Sequence, residues 1–196
     1  MEIHGAHAIT QLATSGDDQY LVALAVASQD TAAFGELIRR HQSQVRNFLR
    51  KLAGGSTEDA DDLSQECFLH AWDKLQTYSG RGSFIGWLLK VAYTTFLQSK
   101  RKSKRYAEVM DEVGHVAELE SRSYTKSAEE VTDLDKLLAV LTQEERAIMV
   151  MSYACGLSHR EIGEATGLPV GTVKSVIFRG KEKIRTSFDI KDHQHG

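Results

Sequence analysis

The sequence predicts an all-α protein of two small helical domains joined by a flexible acidic linker, the C-terminal one a helix-turn-helix. Three observations predict it. The 196 residues hold one proline, Pro169, and long stretches without glycine, whereas strand-rich folds punctuate their turns with both. Apolar residues recur at spacings of three, four and seven over most of the chain. The pattern fades from Tyr106 to about Ser127, where acids such as Glu108, Asp111, Glu112, Glu118 and Glu120 dominate, as in a linker. The expected organisation is a tail over 1–16, a first domain over 17–105, a linker over 106–127, a second domain over 128–188 and a tail over 189–196.

A first helix is expected from Asp17 to about Val26. Asp30 caps a stronger one, with Phe34, Leu37, Ile38, Val45, Phe48, Leu49 and Leu52 on one face and Gly54-Gly55 at its end. Ser56 or Thr57 caps the third, whose first turn is acidic, where the helix dipole favours carboxylates. Its stripe is Leu63, Cys67, Ala71, Trp72 and Leu75. A polar loop, Thr77 to Gly82, leads to a fourth helix that starts at Ser83, carries Phe84, Trp87, Leu88, Val91, Ala92 and Thr95, and ends in the basic run Lys100–Arg105.

In the second domain, Leu134, Leu137, Leu138 and Leu141 form the first stripe, in a pattern that returns near Ala128. Thr142–Glu145 and Ser158–Glu161 are capping boxes, each a hydroxyl residue followed three positions later by a glutamate. The helix opened by the first carries Ile148 and Met151 and ends at Gly156; the second stops near Gly167. Leu168-Pro169 starts a last helix, since proline suits a first helical position, and it runs to about Phe188 with Val173, Ile177 and Ile184 inside.

Composition bounds the function. The net charge of −3 argues against simple non-specific DNA binding, but the charges are segregated: acids at Glu58–Glu66 and mid-chain, bases at Lys100–Arg105 and Lys174–Arg185. Such a chain can bind a protein with one surface and a nucleic acid with another. The two cysteines, Cys67 and Cys155, form no CxxC pair and fit a reduced cytoplasmic compartment. No apolar run approaches the roughly 20 residues of a membrane helix, so no membrane insertion is expected. No base-and-nucleophile set accompanies the acids of Glu58–Glu66, so an enzyme is not expected. His4, His7, His193 and His195 lie in the tails, and no Cys/His spacing suits a structural metal. Gly80-Arg81-Gly82 is too short for a phosphate loop. Neither a metal nor a cofactor is expected.

Residues 158–186 have the form of a helix-turn-helix, whose second helix enters the major groove of duplex DNA. Thr172, Lys174, Ser175 and Arg179 are its expected exposed positions, and Lys and Arg can pair with guanine or with phosphates. Lys181, Lys183 and Arg185 follow, nearer the DNA backbone.

Gly156 to Arg185, GLSHREIGEATGLPVGTVKSVIFRGKEKIR, resembles the promoter-reading helix-turn-helix of sigma-70 family proteins. Asp59-Ala60-Asp61-Asp62-Leu63-Ser64-Gln65-Glu66-Cys67-Phe68 resembles that family's polymerase-binding segment, and Phe84-Ile85-Gly86-Trp87-Leu88 its next landmark. The three stand in the family's order and spacing, over roughly residues 19–188. Two such domains alone resemble the extracytoplasmic-function (ECF) subfamily.

The resemblance implies an alternative sigma factor that directs core polymerase to specific promoters in a stress or envelope response. Asp61, Asp62, Gln65 and Glu66 match the residues that bind a coiled coil of the polymerase largest subunit, and the second domain implies contact with the polymerase flap. Tyr78, Arg81, Ser83 and Lys90 match the region that opens the minus-ten element, with Thr94 further along the helix and Arg101 and Lys102 in the basic run that tracks phosphates. Aromatic faces, small residues and cations suit an unpaired, flipped base. The family often has Asn and Asp where this chain has Thr94 and Gln98, which leaves its minus-ten preference open. Thr172, Lys174, Ser175, Phe178 and Arg179 match minus-thirty-five positions; Phe178 either touches a thymine methyl or packs inward. Phe84 and Trp87 read as core. The resemblance also implies an anti-sigma protein as regulator. It gives neither that protein's identity, nor the promoter sequence, nor the placement of the two domains. Two other readings fit the residues: a conventional helix-turn-helix regulator that binds duplex DNA alone, and a decoy that sequesters polymerase or an anti-sigma protein.

Overall fold

The computed structural model describes residues 17–54, 56–112 and 132–192, all in helices and short turns. The first domain comprises α1 (Asp18–Ser28), α2 (Thr31–Leu52), α3 (Thr57–Lys74) with a short 3₁₀ turn at Leu75–Thr77, and α4 (Phe84–Glu112). Asp30 caps α2 by accepting from the backbone N–H groups of Ala32 and Ala33 at 2.8 and 3.1 Å. Ser56, not Thr57, caps α3, accepting from Asp59 N at 3.2 Å. The core is Leu21, Leu37, Val45, Phe48 and Leu49 from α1 and α2, Cys67 and Ala71 from α3, and Phe84, Leu88, Leu89 and Phe96 from α4. Asp18 ties α1 to α2 through His41 Nε2 at 2.7 Å and Arg40 Nη1 at 3.3 Å.

The second domain comprises α5 (Asp133–Leu138), α6 (Gln143–Tyr153), α7 (His159–Thr166) and α8 (Val170–Asp192). Both expected capping boxes form, and Thr132 with Asp135 makes a third at α5. Ile148, Met151, Ile162 and Val173 are fully enclosed. The α7–α8 turn needs glycine twice. Gly167 has φ +78°, and a Cβ on Gly163 would sit 2.8 Å from Leu168 O.

Two boundaries differ from expectation. Helix α4 passes through Arg105 to Glu112, so 106–112 is helical rather than linker, and α8 passes Phe188 to Asp192 rather than yielding to a tail at 189. The rest of the expected linker, the Ala128 start, the expected tail 1–16 and the last four residues of the expected tail 189–196 lie outside the described residues. None of the described helices is long and apolar enough to cross a membrane.

The two domains touch. Helix α7 packs on α4, and α6 on α2. Gln44 Nε2 donates to Cys155 O at 3.1 Å, and Ser83 donates to Glu161 through its backbone N–H at 3.2 Å and through its hydroxyl.

Candidate nucleic-acid interface

The loop between α3 and α4 is built from two glycines and three aromatic rings. Gly80 and Gly82 take φ of +73° and +76°, a region that disfavours side chains. Tyr78 Oη donates to Gly82 O at 3.0 Å and closes the loop. The Tyr78 ring meets Phe84 edge-on, and Trp87 stacks on Phe84, both at 5.5 Å between centroids. Phe84 is buried, as expected of core, while Trp87 is only half-buried and lines the loop's cavity. That cavity, about 350 Å³, is also lined by Tyr78, Arg81, Ser83, Gly86 and Lys90.

Ser83 sits at the start of α4, where its hydroxyl accepts from Gly86 N at 3.2 Å. From there Lys90, Thr94 and Arg101 follow one stripe of the helix, because steps of four and seven residues return to nearly the same azimuth. Lys102 falls about a third of a turn away. Thr94 is half-exposed and donates its hydroxyl to Lys90 O at 2.9 Å, so its proton is turned to its own helix. Arg101, Lys102 and Gln98 are exposed.

The acidic segment lies on α3. Asp62, Gln65 and Glu66 are exposed together. Asp61 is turned aside: its Oδ1 lies 2.7 Å from Arg46 Nε, shielded from water and out of line for a hydrogen bond. The exposed face extends to Leu69, which is 68% exposed, one helical turn beyond Gln65 and Glu66. A groove of about 450 Å³ runs beside it, between Asp62 and Glu66 of α3 and Ser99, Lys100 and Ser103 of α4.

On α8, Val173, Val176 and Ile177 face the core. Thr172, Lys174, Ser175 and Arg179 are exposed, as the pattern predicts, and Phe178, at 67% exposed, points outward rather than in. The bases further along are less free than expected. Lys183 Nζ binds both oxygens of Glu145 at 2.7 and 2.8 Å, and Arg185 pairs with Glu182 at 2.7 Å.

One residue of this interface was not singled out from the sequence. Glu161 reads as the glutamate of a capping box, and it is; its Oε2 accepts from Ser158 N and Oγ at 2.9 and 2.8 Å. Its Oε1 reaches the other domain and accepts from Ser83. Burial pushes the Glu161 carboxyl up, but the hydrogen bonds from Ser83 and Ser158 outweigh it and hold it at about 2, against 4.5 ordinarily. The cap accounts for the glutamate fully, so nothing in the sequence signals its second partner.

Two halves of one family are therefore laid out in order: an acidic helix and an aromatic loop with a basic stripe, then a helix-turn-helix with its recognition face exposed. Sigma-70 region 2 matches residues 37–106, and Sigma-70, region 4 matches residues 132–184. The chain belongs to the sigma-70 family. Within it, the relatives it is similar to include ECF RNA polymerase sigma factors. It is 34% identical over 167 residues to the ECF RNA polymerase sigma factor SigE of Mycolicibacterium smegmatis, covering 81% of this chain and 64% of that one. It is 29% identical over 178 residues to the ECF RNA polymerase sigma-E factor of Escherichia coli, covering 85% and 92%. Its fold is similar to that of the sigma factor RpoE in complex with the anti-sigma factor NepR from Bartonella quintana, with a TM-score of 0.64 at 23% identity, covering 80% of this chain and 97% of that one.

Proposed function

We propose that this chain is an alternative sigma factor, a transcription initiation factor that acts in the cytoplasm as a subunit of RNA polymerase rather than as an enzyme. The observation that carries the reading is the division of labour on one chain. An exposed acidic face, an aromatic loop leading to a basic stripe, and an exposed recognition helix occupy separate surfaces.

In this reading Asp62, Gln65 and Glu66 meet cations of the polymerase largest subunit, with Leu69 as an apolar neighbour, and Asp61 contributes through its pair with Arg46. The Tyr78–Ser83 loop with Lys90, Thr94, Arg101 and Lys102 takes the melted minus-ten strand. Thr172, Lys174, Ser175, Phe178 and Arg179 read the minus-thirty-five duplex, where the exposed Phe178 ring suits a thymine methyl. RpoE of Bartonella quintana is found in complex with an anti-sigma factor, and a regulator of that class is expected to act here too.

Run-off transcription with core polymerase on upstream fragments of the source genome tests the reading. Discrete transcripts are expected only when the chain is present. Replacing Asp62 and Glu66 with Ala is expected to weaken core binding at least tenfold, because truncated charge pairs at interfaces cost about 2–5 kcal/mol. Arg179→Ala is expected to cost about 1–3 kcal/mol of promoter affinity and to relax specificity at one base pair. Tight duplex binding without polymerase, and no transcripts with it, would instead favour a conventional regulator.

A further inference from the structure

Helix α7 lies across the mouth of the loop assigned to the minus-ten strand. Besides the loop and α4 residues, the cavity there is lined by Glu161, Glu164 and Ala165 of α7. Two carboxylates thus stand in a cavity whose opposite wall carries Arg81 and Lys90, where the phosphates of a DNA strand would supply negative charge. Ser83, at the head of α4, gives both its N–H and its O–H to Glu161. A second tie, Gln44 to Cys155 O, holds α2 to the end of α6 at a different point of the same contact.

A promoter-bound chain cannot keep this arrangement. Elements at minus ten and minus thirty-five are about 25 base pairs apart, or about 85 Å of duplex at roughly 3.4 Å per pair. Here the loop and the helix-turn-helix are in contact. The arrangement nevertheless covers only one of the three surfaces. The α8 recognition residues and the acidic face of α3 stay exposed.

We propose that helix α7 is an internal occupant of the strand-capture site, with Glu161 as its latch, so that the free chain excludes single-stranded DNA until its two domains part. The proposal rests on the reading of the Tyr78–Ser83 loop as that site. Opening does not require α7 to unfold, because Glu161 holds Ser158 with one oxygen and Ser83 with the other.

Two variants of the full chain test it. Glu161→Gln keeps a capping-box residue, since Gln serves in that role, but removes the charge that strengthens the Ser83 bonds. Gln44→Ala removes the second tie far from the loop. Cys155 reports opening, because it lines the cleft between α2 and α6 and burial pushes its thiol up to about 11. Glu161→Gln is expected to speed thiol labelling of Cys155 and to tighten binding of a mixed-sequence DNA strand of about 12 nucleotides, both by about tenfold, since apparent affinity scales with the open fraction. Gln44→Ala is expected to move both in the same direction by less. Wild-type labelling rate and wild-type strand affinity in both variants would overturn the proposal. So would faster labelling with measurable but unchanged strand affinity, which spares the strand-capture reading. Faster labelling with no strand bound by any form, and no transcripts from the holoenzyme, would overturn that reading as well.

Discussion

Gly163 shows how little room the α7–α8 turn allows. A Cβ there would lie 2.8 Å from a backbone oxygen, Leu168 O, which cannot swing away as a side chain can. Gly163→Ala is expected to destabilise the second domain by about 1–3 kcal/mol in urea unfolding, the usual cost of overpacking. Gly171, with nothing within 4 Å, is the control, where alanine is expected to be neutral or stabilising by up to about 1 kcal/mol. Glu161 makes a second residue-scale prediction. Its carboxyl sits at about 2 when folded and at 4.5 ordinarily, so its contribution is complete above about 4.5 and is lost as pH falls toward 2. The Ser83 amide resonance, which follows the folded carboxyl, is therefore expected to hold its position as pH falls through 4.5, to move only as pH approaches about 2, and to lose that acid step in Glu161→Gln. At this scale the sequence was legible where a residue had one job. The outward Lys174 and Arg179 followed from α8's apolar stripe. Asp61 did not, because its neighbour Arg46 comes from another helix, and Phe178 was ambiguous because an aromatic ring suits either face.

At the scale of the element, legibility followed the caps. Helix α5, capped by Thr132, begins later than the expected Ala128, but the starts at Asp30, Thr142 and Ser158 were placed to the residue, since the cap is a local hydrogen bond written in adjacent residues. The far ends of α4 and α8 were not. Both helices run past the residues that anchor them in a core, and exposed segments such as Lys102–Glu108 carry no apolar period to read. Lys104 and Glu108, 3.7 Å apart at spacing four, are the kind of pair that lends such a segment modest support. Glu145 shows what a cap can add beyond its own helix. It accepts from Thr142 N at 2.9 Å and holds Lys183 of α8, so one buried side chain joins α6 to α8. Burial pushes its carboxyl up, and Lys183 and Thr142 together bring it below the ordinary value. Glu145→Ala is expected to cost the second domain about 1–3 kcal/mol in urea unfolding, through the lost cap and the lost partner. Lys183→Ala is expected to cost less, within about 1 kcal/mol, because the lysine is 43% exposed.

At the scale of the whole molecule, the sequence showed two domains and left their placement open, and the reason is physical. Each domain's core is written in its own periodicity, but the hydrogen bonds that join them, Ser83 to Glu161 and Gln44 to Cys155 O, use groups whose local roles, a helix cap and a helix surface, already explain their presence. The placement has a consequence for the stretch between them. If the domains must part to reach elements about 85 Å apart, the chain over 113–131 must bridge much of that distance, and fully extended it spans at most about 65 Å. Removing ten residues from it would cut the reach to about 30 Å. The shortened chain is expected to keep core-polymerase binding, since the acidic face lies wholly on α3, and to keep duplex binding through α8. It is also expected to lose run-off transcription to background, because one surface can be engaged only at the expense of the other. Full transcription from the shortened chain would show that the two domains work on a promoter without separating, and the contact between α4 and α7 would then belong to the active form.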